Sequence, residues 1–146
     1  MSYATGEAAI LTLIRALSGY DTNNTDRQDW SLLGKGKAAV YAILRPGPWT
    51  NQRATITSSV RQWRTVIEVW RRYIDDSKPV ALQSDVVTIV EQLEKYPTLN
   101  GASGVLRAEI VGGGNMEEIE IRTSKVLWAK WDIYCDWSEE KVITYA

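Results

Sequence analysis

The sequence predicts an α+β fold, a mostly antiparallel sheet with two principal helices packed on one face. Three observations carry this. Two aromatic-rich stretches, 60–73 and 127–139, alternate apolar and polar residues with the period of a strand. In the first, Trp63, Thr65, Ile67, Val69 and Tyr73 share one side; in the second, Leu127, Ala129, Trp131, Ile133, Cys135 and Trp137 do so. Two other stretches, 5–17 and 80–95, carry apolar residues at helical spacing, and the strands are joined by hairpin-sized connections. Each long strand has one apolar and one mostly polar face, which predicts a sheet covered on one side.

The elements follow in order. Ile10, Leu13, Ile14 and Leu17 form the stripe of the first helix, with Glu7 in its first turn and Ser18-Gly19 as a stop. Residues 21–29 are polar and read as a loop, interrupted by Trp30. A strand over 37–45, with Val40 and Ile43, should end at Pro46-Gly47-Pro48, where proline withholds ladder donors. A weaker strand over 53–57 should turn or bulge into 60–73. Asp75-Asp76-Ser77-Lys78-Pro79 has the composition of a helix start, and the helix should run to about residue 95. Its stripe is Leu82, Val86, Ile89, Val90 and Leu93; Pro97 stops it and Asn100-Gly101 turns. Strands are expected over 105–111, 117–122 and 127–139. Gly112, Gly113, Gly114 and Asn115 read as a flexible hairpin tip between the first two. With no internal repeat or long linker, 1–146 reads as a single domain.

Composition bounds the function. The chain has no histidine, which removes the commonest general base and metal ligand. The single cysteine, Cys135, excludes an internal disulfide or a cysteine-rich zinc site, and its place on an apolar strand face suits a small buried hydrophobe in a reducing cytosol. No catalytic, metal-binding or cofactor-binding residue is assigned, and no enzymatic activity is expected. Ser103 beside Gly104 reads as a loop residue, Asp75-Asp76 as a helix cap, and the glycine run lacks the Lys-Ser/Thr of a phosphate loop. A formal net charge of −1 and a pI near 5.5 argue against wholesale electrostatic binding to nucleic acid or an anionic membrane. No apolar run approaches the roughly 20 residues of a membrane span. Seven Trp and seven Tyr against no Phe leave two readings open, a Trp-built core or an interface.

Charge is unevenly distributed. Six arginines (Arg45, Arg53, Arg61, Arg64, Arg71, Arg72) lie between 45 and 72 against the one acid Glu68. Four acids, Asp132, Asp136, Glu139 and Glu140, lie between 132 and 140 without a base. These are either cross-strand pairs within one sheet or a basic and an acidic edge for head-to-tail contact between subunits. The interface candidates are Arg61, Arg64, Arg71 and Arg72 on one side and Asp132, Asp136, Glu139 and Glu140 on the other. Trp63 and Trp70 among the arginines also admit a nucleic-acid surface.

Residues 42–49, AILRPGPW, then 63–76, WRTVIEVWRRYIDD, then 93–101, LEKYPTLNG, follow an N-terminal amphipathic helix and precede a glycine run and a Trp-containing acidic strand. This arrangement, across nearly the whole chain, resembles the tail terminator and neck (tail-completion) proteins of long-tailed bacteriophages, the group of the lambda tail terminator U. The resemblance implies a small α+β subunit and a homo-oligomeric ring, a hexamer in that family. The ring caps the tail tube, stops its polymerisation and joins tail to head. The implied partners are further copies of the chain, the tail tube protein and a head-completion or connector protein, with DNA only passing through the ring and no membrane. The implied location is the neck of a virion made in the host cytoplasm. The family offers no catalytic residue to carry over. Alternatives are a head-completion adaptor or tail tube subunit, and, from another class, a nucleic-acid-binding module.

Overall fold

A computed structural model describes residues 3–35, 38–73, 80–121 and 126–143. The aromatic stretches form its two longest strands, β3 (Ser58–Tyr73) and β6 (Val126–Val142). They are antiparallel, and their register runs without a break from Ser58 opposite Val142 to Tyr73 opposite Leu127. β2 (Val40–Arg53) pairs antiparallel with the other side of β3, and the three-residue β1 (Thr25–Arg27) lies parallel beside β2. β4 (Val105–Gly113) and β5 (Glu117–Ile121) both pair antiparallel with the far side of β6. The sheet order is β1-β2-β3-β6-β4, with β5 beside β6. The described residues also form three helices: α1 (Tyr3–Arg15), a short α2 (Leu32–Lys35) and α3 (Val80–Glu94).

The predicted class therefore holds. The face of β3 and β6 carrying Ile67, Val69, Ala129, Ile133, Cys135 and Trp137 is buried beneath α1 and α3. Ile10, Leu13, Ile14, Ile89 and Leu93 pack into it, while Leu17, Val86 and Val90 border it half-buried. Gln92 of α3 donates to the Leu13 carbonyl of α1 at 3.0 Å, which ties the two helices together.

Several local expectations are corrected. The sheet is not bare on its other face. Tyr41, Ile43, Trp70 and Trp128 form a second apolar cluster there, closed by Leu33 of α2. These residues come one or two per strand, so no single strand displays the pattern. β1 lies in the 21–29 stretch read as loop, and α2 falls between it and the 37–45 strand, where the sequence reading assigned no element. Thr25 is held by Arg15, whose Nε donates to its Oγ1 at 2.7 Å, and by donation from that hydroxyl to the Asp21 carbonyl at 2.5 Å.

β2 does not stop at Pro46. It passes through a register shift between Pro46 and Trp49 and continues to Arg53, where Ala54 and Thr55 turn back by donating to the Ser58 carbonyl at 3.1 Å each. Beyond Leu44 this strand has no neighbour on its outer side among the described residues, so the prolines remove no ladder bond there.

The glycine run is not a hairpin tip. β4 descends β6 from Glu139 to Ile133, and β5 carries on in the same direction from Lys130 to Val126. Gly112 (φ +123°) sits at a register shift, and a Cβ on Gly113 would lie 2.1 Å from the Asp132 carbonyl oxygen. The glycines thus let an edge strand press against the backbone of β6, a bulge requirement that shares its composition with a turn. The Asp75-Asp76-Ser77-Lys78-Pro79 segment lies outside the described residues.

Candidate assembly surfaces

The register decides what the charged stretches are. β3 and β6 are adjacent central strands, not opposite edges, and Arg61 faces Glu139 while Arg64 faces Asp136. Arg64 forms a bidentate pair with Asp136, Nε to Oδ1 at 2.7 Å and Nη2 to Oδ2 at 3.2 Å. Its guanidinium lies 4.9 Å from the centre of the Tyr134 ring, and its stem passes against Gly47, where a Cβ would meet Arg64 Cγ at 2.9 Å. The bond to Asp136 raises the guanidinium pKa further above its ordinary value. Arg71 makes the same kind of fork with Asp85, at 2.6 and 3.1 Å, clamping α3 to the sheet. Arg72 lies 5.1 Å over the Trp128 ring.

The acids are no freer. Asp132 is contacted by Arg45 at 3.2 Å and by Lys130 at 3.5 Å. Glu139 is fully buried and accepts from Trp63 Nε1 at 3.1 Å. Glu140 is exposed and Arg61 half-buried. Of the two readings open from sequence, the register gives the cross-strand one and not two separate edges: Arg64 with Asp136 is a cross-strand pair within one sheet, and Arg71, Asp132 and Glu139 have partners in the same chain.

Two polar clusters set the shape of the sheet. On the face bearing α2, the Glu68 carboxylate, 3% exposed, gathers three hydrogen-bond donors and a further cation. Trp30 and Trp70 donate their indole N–H to Oε1 at 2.8 and 3.1 Å; Arg45 Nε reaches Oε2 at 2.5 Å and Lys130 Nζ lies at 3.8 Å. Under α1, fully buried Glu7 accepts from Tyr3 at 2.6 Å and from Arg27 at 2.5 Å. The sequence reading placed Glu7 in the first turn for the helix dipole; the structure adds that it binds β1 to α1. Thr65 joins this network, accepting from Trp137 Nε1 at 3.1 Å and lying 3.2 Å from the Tyr3 hydroxyl.

Cys135 lies in the apolar core, and burial, followed by the nearby Asp136 charge, pushes its thiol pKa up to about 12. Burial also raises the Tyr3 and Tyr20 hydroxyl pKa values. A raised folded-state pKa means that the unfolded chain loses its proton first. These groups therefore contribute stability that is intact below the free thiol's range near about 8.5 and is lost as pH climbs through the folded values. We expect an alkaline unfolding transition, and a Cys135 unreactive to alkylating reagents at pH 8 until the chain is denatured. Rapid labelling of the native protein would contradict this.

The exposed features lie elsewhere. The outer half of β2 with the start of β3 projects as a hairpin. It carries Trp49 (58% exposed), Ile56 (75%) and Arg53, beside Val142 (69%) at the end of β6. A groove of about 170 Å³ runs along it, lined by Pro48, Trp49, Thr50, Gln62, Trp63, Arg64 and Asp136. The opposite edge exposes Leu106, Val111 and Met116, and then the three acids of β5, Glu117, Glu118 and Glu120. Of the residues at these two places, the sequence reading named only Arg64 and Asp136, in the groove, as interface candidates. The available signal was the EEIEI pattern of β5, acids alternating with isoleucine in an edge strand.

These features define a class, an α+β protein whose long antiparallel sheet is backed by two helices and has two partly open edges. No family model matches the sequence, and no curated protein is similar to it. Among solved structures, a chain of a particle described as the virion of a native gene transfer agent shares the fold. Its TM-score is 0.55 at 15% identity, covering 96% of this chain and 100% of that one.

Proposed function

We propose that this protein is a structural component of a phage-like virion, a tail terminator that forms a ring on the end of the tail tube. The ring halts tube polymerisation and presents the surface that joins tail to head. The observation that carries the reading is correspondence over the whole chain with a virion chain, 96% of one and 100% of the other. The element order and the 42–49, 63–76 and 93–101 stretches that resemble phage tail terminators support it. So do exposed aromatic and aliphatic side chains gathered at the two ends of one sheet, the composition of contact surfaces. On this reading the chain turns over no substrate, and its partners are its own copies, the tube protein and a head-completion protein.

Deletion in a particle-producing host tests it. A terminator's absence leaves tubes of uncontrolled length and heads without tails, both restored by supplying the protein. Normal tails would overturn the proposal. Complete loss of tubes would assign a tube subunit, and tubes of normal length left unjoined would assign a head-completion adaptor.

A further inference from the structure

The sheet has two outer edges, and most of each is closed to strand pairing. On β2, residues 42–44 are covered by β1, and Pro46 and Pro48 cannot donate. On β4, register shifts between Val105 and Arg107 and between Ile110 and Gly112 distort the ladder. Bulges and prolines are the usual means of blunting a sheet edge. What remains, among the described residues, are two regular stretches of five residues. One is 49–53, Trp-Thr-Asn-Gln-Arg, exposed throughout and in unbroken register with β3 from Trp49 opposite Trp63 to Arg53 opposite Ser59. The other is β5, in unbroken register with β6 from Glu117 opposite Lys130 to Ile121 opposite Val126.

The two stretches are complementary. The hairpin from 46 to 62 carries Arg53 and Arg61 and no acid, whereas β5 carries Glu117, Glu118 and Glu120 and no base. Arg53 is exposed and its Nη1 donates to the Ile56 carbonyl at 3.1 Å, which holds the charge at the hairpin tip. Apolar side chains flank both stretches, Trp49 and Ile56 on one and Met116 and Leu127 on the other. The stretches occupy opposite edges of one sheet, so a single subunit cannot join them.

We propose that the open 49–53 edge of one copy adds to the β5 edge of the next, a head-to-tail strand pairing steered by Arg53 against Glu117, Glu118 and Glu120. The occupant of each edge is a second copy of this chain. Such a heterologous contact closes into a ring where the rotation allows. This rests on the assembly reading above and identifies its surfaces.

The test is a charge swap read by sedimentation velocity over a wide concentration range at low salt. One variant carries Arg53→Glu; the other carries Glu117→Lys, Glu118→Lys and Glu120→Lys. All four positions are exposed, and circular dichroism checks that both variants fold. Each variant alone should self-associate roughly tenfold or more weakly than wild type, because like charges then meet across the contact. An equal mixture should recover assembly, since each variant then meets the opposite charge on both edges. Recovery on mixing separates a lost contact from a misfolded chain. Added salt should weaken wild-type association. Variants that assemble as wild type does, a mixture that fails to recover, or a wild type that stays monomeric at every concentration would each overturn the proposed contact. The deletion phenotype judges the terminator reading independently, so the two can fail separately.

Discussion

Replacing Glu68 with Ala should remove about 3–5 kcal/mol of stability, the range for taking one partner out of a buried ion pair. The carboxylate binds both indoles, Trp30 and Trp70, and the cations Arg45 and Lys130. Without it, Lys130 keeps only 17% of its side chain exposed and has Asp132 as its remaining acid, and two indole N–H groups lose their acceptor. Arg45 is a third exposed and can turn to water, which sets the loss nearer the lower end. Glu68→Gln keeps an acceptor for the indoles and loses only the charge, so its cost should be smaller, about 1–3 kcal/mol. Urea unfolding followed by tryptophan fluorescence measures both. The native emission should also change, because two tryptophans sit on this carboxylate. A Glu68→Ala protein within about 1 kcal/mol of wild type would show that the cluster is solvated and not a fixed part of the sheet.

How much of this was readable from the sequence depends on whether a feature is local. The helix-facing side of β3 and β6 was legible because alternation repeats along one strand, from Trp63 to Val69 and from Ala129 to Trp137. The helices were legible for the same reason. The second cluster was not, since Tyr41, Ile43, Trp70 and Trp128 meet only after β2, β3 and β6 are aligned. β1 has the sequence Thr-Asp-Arg, and its place is set by side chains from other elements, Arg15 on Thr25 and Glu7 on Arg27. The choice between two charged edges and cross-strand pairs was not legible, because it turns on register. Arg64 and Asp136 are 72 residues apart in sequence and directly opposite in the sheet. The glycine run failed differently, because a bulge against Asp132 and a turn call for the same residue.

Trp137→Ala should be as costly, about 3–5 kcal/mol. The ring is 2% exposed, it stacks on Tyr3 at 5.9 Å between centroids, and its Nε1 donates to Thr65 at 3.1 Å. It also explains the glycine in the first turn of α1. A Cβ on Gly6 would lie 2.3 Å from two ring carbons of Trp137, so the helix approaches the sheet only where a side chain is missing. Two terms oppose each other in Gly6→Ala. Alanine improves helix propensity by roughly 0.5–1 kcal/mol, and overpacking costs about 1–3 kcal/mol. The ring has little room to give, held by Tyr3, Trp63 and Thr65, so overpacking wins and Gly6→Ala destabilises the wild type. In a Trp137→Ala background the clash is gone and the helix term remains. The same Gly6→Ala change should then stabilise. This reversal of sign, measured as the coupling in a double-mutant cycle by denaturant unfolding, is the sharper test because neither single variant predicts it. If Gly6→Ala costs the same in both backgrounds, α1 does not dock through this contact, and the close approach of helix to sheet must be set elsewhere.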